Sequence, residues 1–446
     1  MALNGFLLRS AVTGALGGLL FGFDTAVIAG TTHALTTQFH LSPLQLGFTV
    51  SIALWGTVLG AIFAGGIGQR IGSRSTLRIM ALLYVLAAIG CAFAWSWQAF
   101  LVSRFLGGLG IGGSSVLGPV YIAELAPARY RGRLVGLFQI NIVVGILLAY
   151  FSNFIIASRQ LGAHEWRWEF GVSGIPAVLF LVMLWSIPHS PRWLATKGRV
   201  DEARTTLTLL DTPDPEGELR SIVQSIHLED AGKREPLFQG QYRKPIVLAI
   251  LIAAFNQLSG INAVLYYLND IFASAGFSKL SGGLQAVAIG AVNLVATLIA
   301  MTLIDKIGRK TLLLIGCAGM TIGLSGIAFV FVTGRWHGAL IFFVAEYTAT
   351  FALSSGSVIW VYMSEIFPNR VRVKGQALGS TVLWVMNGII SQVFPPLAAH
   401  SASLPFVVFA VIMVVQFVVT LMMFPETKGL SLEQLQQVLE TPTASA

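Results

Sequence analysis

The feature that most constrains this chain is an apolar stretch about 20 residues long that recurs twelve times. The stretches lie near 8–32, 45–68, 77–95, 98–123, 134–157, 170–188, 245–271, 284–304, 311–332, 338–363, 376–398 and 404–424. A helix of roughly 20 apolar residues spans the hydrocarbon core of a bilayer. With 55% hydrophobic and 11% charged residues among 446, and a mean hydropathy of +0.76, too little polar surface remains for a soluble protein. The expected fold is an all-α membrane protein of twelve transmembrane helices with the lipid bilayer as its solvent. The first stretch carries only Arg9 ahead of it, outruns a cleavable signal core and has no A-x-A-like site, so it is expected to be a retained helix.

A formal charge of +8 invites a nucleic-acid reading, but the placement of the cations argues otherwise. Arg70, Arg74 and Arg78 follow the second stretch, and Arg129, Arg131 and Arg133 the fourth. Lys306, Arg309 and Lys310 follow the eighth, and Arg370, Arg372 and Lys374 the tenth. The alternate loops hold only Arg159, Arg167, Lys279 and Arg335. This is the positive-inside pattern, which predicts a multi-pass protein of the cell (plasma or inner) membrane with both termini cytoplasmic and no nucleic-acid partner. Cys91 and Cys317 stand in separate apolar stretches, too few and too far apart for a metal cluster or disulfide framework, and read as packing residues.

The long polar stretch 189–244, with nine Lys/Arg and a concentration of acids, divides six helices from six. Within it, 199–211 and 216–230 have helical composition and Thr212 to Pro215 breaks them. The predicted organisation is therefore 1–188 and 245–428 as six-helix bundles, 189–244 as a cytoplasmic loop with short amphipathic helices, and 429–446 as a short cytoplasmic tail. The bundles echo each other. Gln69-Arg70-Ile71-Gly72-Ser73-Arg74 recurs as Asp305-Lys306-Ile307-Gly308-Arg309-Lys310, 236 positions on, and Glu124-x-x-Pro127-x-x-x-Arg131 recurs as Glu365-x-x-Pro368-x-x-x-Arg372, 241 on. Two matches at nearly one offset indicate a duplicated six-helix unit, an arrangement that allows a midplane site between halves, open alternately to either side. Duplication thus argues for transport over enzymology.

Ionisable residues inside a membrane are costly and mark function. Asp24 and Arg104 come out at similar depths, about 13 and 9 Å below the outer boundary at 1.5 Å per residue, so they can pair. Either they form a structural ion pair, or they act as a proton switch: desolvation favours the protonated carboxyl, the guanidinium favours the ionised one, and rearrangement changes the balance. Glu346, about 12 Å below that boundary, has three readings: a residue lining the outer vestibule (the plainest), a partner of Arg335, or a second protonatable group. A neutral ligand rich in hydroxyls is best held by side-chain amides and aromatic faces, and the apolar stretches carry Gln139, Asn256, Gln257, Asn262, Asn293 and Asn387. Any one such amide can instead be interhelical glue.

Ordered motifs then identify a resemblance. The chain reads GGLLFGFDTAVIAG in its first helix, PVYIAELAPARYRGRL after the fourth and PHSPRWL after the sixth. It continues with NQLSGINAVLYY in the seventh, SEIFPNRVRVKG after the tenth and PETKG after the twelfth. Over nearly its whole length it resembles the sugar porter family of the major facilitator superfamily, most closely bacterial sugar/proton symporters of the xylose/proton type. The resemblance implies a monosaccharide and protons as partners, no cofactor besides the coupling proton, and a functional monomer. It puts Gln139, Asn256, Gln257, Asn262, Asn293, Phe21, Tyr266, Trp360 and Trp384 on sugar-contact positions, and Asn387 on a contact position of the facilitative relatives. It favours Asp24 as the proton carrier modulated by Arg104, since proton-coupled members have Asp there and facilitative animal carriers have Asn. It also implies that Glu124, Arg131, Glu365 and Arg372, with Arg74, Asp305 and Arg309, form ion pairs that latch the cytoplasmic gate between bundles. Departures from the family pattern are Gln69, Ile146, His189, Asn256 and Leu383, while Ser354-Ser355-Gly356-Ser357 replaces a proline-bearing stretch and still loosens the tenth helix.

Other readings fail on the residues. Gly108-x-Gly110-x-x-Gly113 imitates a dinucleotide fingerprint but lies in an apolar helix with no flanking strand, where glycines serve close packing. No phosphate-loop motif, hydrolase triad or zinc spacing is found, so neither an ATP-driven pump nor an enzyme is expected. A sugar sensor on the same fold typically carries a long signalling tail, and about 20 residues follow the twelfth helix. The expected function is import of a hexose or pentose by proton symport; a facilitative uniporter and a proton-coupled polyol carrier of the inositol type are the alternatives.

Overall fold

In lipid, backbone N–H and C=O groups must find partners within their own segment, and the apolar stretches answer by coiling. In the computed structural model, which describes residues 4–127, 129–232, 236–368 and 371–428, every regular element is helical. The chain divides into two compact units, Met1–Phe39 with Ile52–Lys233, and His40–Ser51 with Arg234–Ala446.

The first unit is built from α1 (Gly5–Phe39), most of α2 (Pro43–Ile71), α3 (Ser73–Ala92), α4 (Trp97–Leu125), α5 (Arg131–Ser158), α6 (Glu165–Val172) and α7 (Gly174–Met183). Three short helices follow: α8 (Pro191–Thr196), α9 (Val200–Leu209) and α10 (Pro215–Gly232). They enclose a small core of Leu194, Ala203, Leu207 and Leu219, and Arg204 bridges Asp201 to Glu216 across α9 and α10. The second unit holds α11 (Arg243–Leu258), α12 (Ile261–Tyr266), α13 (Leu268–Ser274), α14 (Lys279–Ile307) and α15 (Arg309–Thr333). It is completed by α16 (Leu340–Leu353), α17 (Ser355–Glu365), α18 (Arg372–His400) and α19 (Leu404–Met423).

Eleven helical stretches among the described residues are long and apolar enough to cross a membrane. The stretch expected at 170–188 is the exception, because it starts earlier and splits into α6 and α7 at Ser173. Pro176 has no N–H to offer the Val172 carbonyl, so the helical ladder cannot run through this point. Two other expected helices are also interrupted. The seventh breaks at Ser259–Gly260, where Gly260 takes φ +84° with the Phe409 ring in the place of a β-carbon, and again at Tyr267. The tenth breaks at Ser354 (φ −121°, ψ −97°), within the serine-rich run.

Close packing in the first unit runs through glycine. A β-carbon at Gly18 or Gly22 of α1 would strike the carbonyls of Phe138 or Ile142, and one at Gly145 of α5 the carbonyl of Leu19. The α2–α4 seam is alike: Gly56 and Gly60 face the carbonyls of Phe105 and Leu109, while Gly108 and Gly112 face those of Ala53 and Thr57. With no β-carbon in the way, the backbones approach to van der Waals contact. Gly110 and Gly113 pack against Met80, so the whole imitation of a dinucleotide fingerprint is spent on helix packing. Cys91 and Cys317 are buried and free, as packing residues should be.

Candidate functional site

Within the first unit, α1 and α4 lie side by side, and Arg104 Nη1 donates to Asp24 Oδ1. Arg104 is buried at 4% exposure and Asp24 is 22% exposed. The guanidinium also lies over the Phe170 ring, 5.4 Å from its centroid. A cavity of about 20 Å³ adjoins the pair, lined among others by Tyr84, Cys91, Ser103 and Ser173, and it has room for about one water. Tyr84 is held there by a 3.2 Å hydrogen bond with Ser114. Of the other residues expected here, Phe21 packs against the unit's apolar core and Gln139 is half-buried on α5.

One residue nearby escaped the sequence reading. Glu169 of α6 is buried, with its carboxylate against Gly30 and Asn153, and Asn153 donates to the Val27 carbonyl at 3.0 Å. The expected sixth helix began at 170, which put Glu169 in a loop; the acid pair in Glu165-Trp-Arg-Trp-Glu169 was the available signal.

In the second unit the backbone breaks gather the amides. Asn256 donates to the Ser355 carbonyl at 3.1 Å, Gln257 to Asn256 Oδ1 at 2.9 Å, and Asn262 to Gln257 Oε1 at 2.8 Å. The chain of amides thus runs from the α11–α12 break to the α16–α17 break. Ser259 Oγ donates to the Asn256 carbonyl at 2.7 Å, and Tyr347 OH donates to the Ser259 carbonyl at 2.9 Å, so the exposed backbone of the break is partly satisfied. A second group lies on α18: Asn387 donates to Tyr266 OH at 3.2 Å and accepts from Ser391 at 3.2 Å, with Trp384 buried one turn away. Asn293 is buried on α14, and Trp360 of α17 leaves 41% of its surface exposed.

The basic helix ends differ between the units. Arg74 donates to the carbonyls of Leu184 and Trp185, each at 3.2 Å, and Arg78 lies 4.0 Å above the Trp185 ring. Arg131 donates to the Ala123 and Ala126 carbonyls, whereas Glu124 is bonded to Ser190 and faces Arg192. Glu124 and Arg131, which the resemblance assigns to ion pairs between the bundles, are held here by partners within the first unit. His189 stacks on Trp193 with ring centroids 4.8 Å apart; burial, then Arg74, Arg199 and Arg78, push it down to about 4, against a weak opposite pull from Glu202.

In the second unit Arg309 Nη2 does meet Glu365 Oε1, at 2.9 Å, and Thr427 donates to the other oxygen of Glu365 at 2.6 Å. Arg372 donates to the Phe367 carbonyl at 3.3 Å, and the side chain of Asp305 lies outside the described residues. Glu426, which the sequence reading left unassigned, caps α15 by accepting from the backbone N–H of Arg309 at 2.9 Å and of Lys310 at 3.0 Å. Burial alone would raise this carboxyl, but backbone N–H bonds from Lys428, Arg309, Thr427 and Lys310 outweigh it and hold it below the usual range. Its place in PETKG was the signal.

Residues 10–439 match the model of the sugar (and other) transporter family. The chain is 36% identical over 444 residues to the arabinose-proton symporter of Bacillus subtilis (strain 168), covering 97% of this chain and 95% of that one. It is 35% identical over 479 residues to the D-xylose-proton symporter of Escherichia coli (strain K12), covering 99% and 97%. Among solved structures, the inward open conformation of the xylose transporter XylE from E. coli matches with a TM-score of 0.87 at 33% identity, covering 97% of this chain and all of that one.

Proposed function

This chain belongs to the sugar transporter family, a family of transporters and not enzymes, and from that premise we propose that it imports a hexose or pentose by proton symport through alternating access. The partly buried pair of Asp24 and Arg104 carries the proposal. A carboxylate whose cationic partner sits beside a water-sized cavity takes up a proton when the pair is parted and gives it off when the pair re-forms, and a carrier that alternates between two states can part and re-form it. Asp24 is the proton carrier in this reading and Arg104 its modulator. That similar chains are named arabinose-proton and D-xylose-proton symporters supports both halves of it.

The sugar is held by Gln257, Asn262, Asn256 and Asn387 with Gln139 and Asn293, and its C–H faces rest on Phe21, Tyr266, Trp360 and Trp384. Each amide both donates and accepts, which suits a hydroxyl. The amides bonded to one another here exchange those partners for sugar hydroxyls at little net cost. We place the basic helix ends and both termini in the cytoplasm of a cell (plasma or inner) membrane protein that works as a monomer. Arg74, Glu124, Arg131, Asp305, Arg309, Glu365 and Arg372 bias the inner gate. Exposed pairs contribute about 0–1 kcal/mol each, so several must act together.

The test is sugar-evoked proton movement in proteoliposomes, with glucose, xylose, galactose, arabinose, fructose and inositol supplied in turn. External alkalinisation with one sugar is the expected result. Sugar exchange without a proton signal would make the protein a uniporter and leave Asp24 and Arg104 as a structural pair.

A further inference from the structure

We infer that the second unit has a proton-binding residue of its own, Glu346, and that the state of this carboxyl is relayed to the amide cluster through Tyr347 and Ser354. Glu346 projects from α16 into a slot in α15 made by two glycines. A β-carbon on Gly319 would lie 3.1 Å from Oε1, and one on Gly323 would collide with Oε2. Both glycines stand near the middle of the 25-residue α15. Oε2 is buried and has no hydrogen-bond partner among the described residues.

Among the described residues, the charged side chains of the elements around Glu346 stand away from it; Tyr362 of α17 is bonded to the Pro425 carbonyl, and the side chain of Asp305 on α14 lies outside the described residues. On α15, Arg309 and Lys310 lie in the first turn, ten and nine residues from Gly319, or roughly 14–15 Å. On α14, Lys279 and Lys306 sit at opposite ends, and on α17 Glu365 is the last residue and is engaged by Arg309. Arg335 and His337 are exposed beyond the end of α15. Among the described residues, the titratable groups nearest the level of Glu346 are Cys317, which is buried, and Tyr347, whose hydroxyl is bonded to Ser259. Among the described residues this carboxyl has neither counter-ion nor donor, and a membrane carboxylate so placed is far costlier than the neutral acid, so the slot selects a bound proton.

The relay is made of hydrogen bonds. Tyr347, the next residue, reaches the Ser259 carbonyl in the α11–α12 break at 2.9 Å. Ser354, in the α16–α17 break, donates to the Thr350 carbonyl at 2.6 Å, and Thr350 Oγ1 donates to the Glu346 carbonyl at 2.8 Å. The adjoining Ser355 carbonyl takes the Asn256 amide. An ionised Glu346 leaves the glycine slot for water, and the α16 segment that moves with it is tied to both breaks that present Asn256, Gln257 and Asn262.

The relay rests on the sugar-site reading above, whereas the proton-binding half stands without it. Infrared spectra of the purified protein test the first half. At pH 7 the wild type and Asp24→Asn are expected to show the C=O stretch of a protonated carboxylic acid, which Glu346→Gln removes and Glu346→Asp retains. Absence of the band in the wild type, or its survival in Glu346→Gln, overturns the assignment. D-xylose affinity measured by titration from pH 6 to 9 tests the relay. In Asp24→Asn, which lacks the coupling carboxyl, affinity is expected to weaken by up to about tenfold per pH unit, the slope of one linked proton, and in the double variant with Glu346→Gln to stay flat. An unchanged slope in the double variant overturns the relay. A wild type that binds none of the sugars tried at any pH counts against the sugar-carrier reading instead, and the infrared band still decides Glu346.

Discussion

The helices that correspond in the two units are built differently. In the first unit α1 and α4 run unbroken for 35 and 29 residues, but their counterparts in the second are α11–α13 and α16–α17, cut into pieces. The repeat offset of 241 carries Gly113, inside continuous α4, onto Ser354, where the tenth helix breaks (113 + 241 = 354). The seams differ in the same sense. Gly18 and Gly22 of α1, Gly56 and Gly60 of α2, Gly108 and Gly112 of α4 and Gly145 of α5 face backbone carbonyls, which cannot yield. In the second unit Gly316, Gly319, Gly323, Gly326 and Gly379 face the side chains of Ser354, Thr350, Glu346, Phe343 and Met363, which can repack. In the proposed reading the first unit is a stiff frame around a charged pair, and the second an irregular backbone that frees polar groups for a neutral ligand.

The largest effect is expected where the stiff unit carries its charge. One proton crossing 100 mV supplies about 2.3 kcal/mol, enough to concentrate a sugar roughly 50-fold at one-to-one stoichiometry. Asp24→Asn should abolish that gradient while sugar exchange between the two sides of proteoliposomes continues; undiminished accumulation would refute the proton assignment. Next come the seams. Gly112→Ala presses a methyl group on the Thr57 carbonyl and should cost about 1–3 kcal/mol, read as a drop in melting temperature. Gly379→Ala, which meets only the Met363 sulfur, should cost less, and equal losses would erase the contrast between the units.

The irregular unit is probed by Gln257→Ala, which removes the middle of the amide chain. Sugar affinity should fall about tenfold, the effect of one hydrogen bond plus a partner left unsatisfied, with the proton signal per sugar unchanged. Loss of coupling at unchanged affinity would mean that the amides belong to the proton path.

The smallest effect concerns His189. Its folded value of about 4 lies below the ordinary 6.5, so protonation favours the unfolded chain. Its contribution is complete above pH 6.5 and is lost as the pH falls from there toward 4. After discounting for partial exposure it is worth about 1 kcal/mol. Melting temperatures of His189→Gln should decline less steeply with acid than those of the wild type, and parallel curves would rule this out.

Much of this was legible in the sequence because hydrocarbon leaves few choices. Apolar runs had to be helices, and depth counting from their ends brought Asp24 level with Arg104. The amides stood out because nothing else in NQLSGINAVLYY is polar enough to explain. What the sequence could not disclose depends on tertiary partners. The break at Ser259–Gly260 is kept open by the Phe409 ring and the Tyr347 hydroxyl, which arrive from 150 and 88 residues away. Glu124 and Arg131 were expected in ion pairs between the bundles, yet Ser190 holds the one and the end of α4 the other. Glu346 was placed by length alone near an outer vestibule, and only the facing glycines of α15 reveal the slot it fills.

Time adds a last consequence to the Glu426 cap. The carboxylate that closes the first turn of α15 is synthesised 117 residues after Arg309. At ribosomal speeds of about 5–20 residues per second, that turn waits roughly 6–23 s with its amides open. Throughout that interval α15 can be inserted but not finished, so the segment after α19 closes a turn laid down long before it.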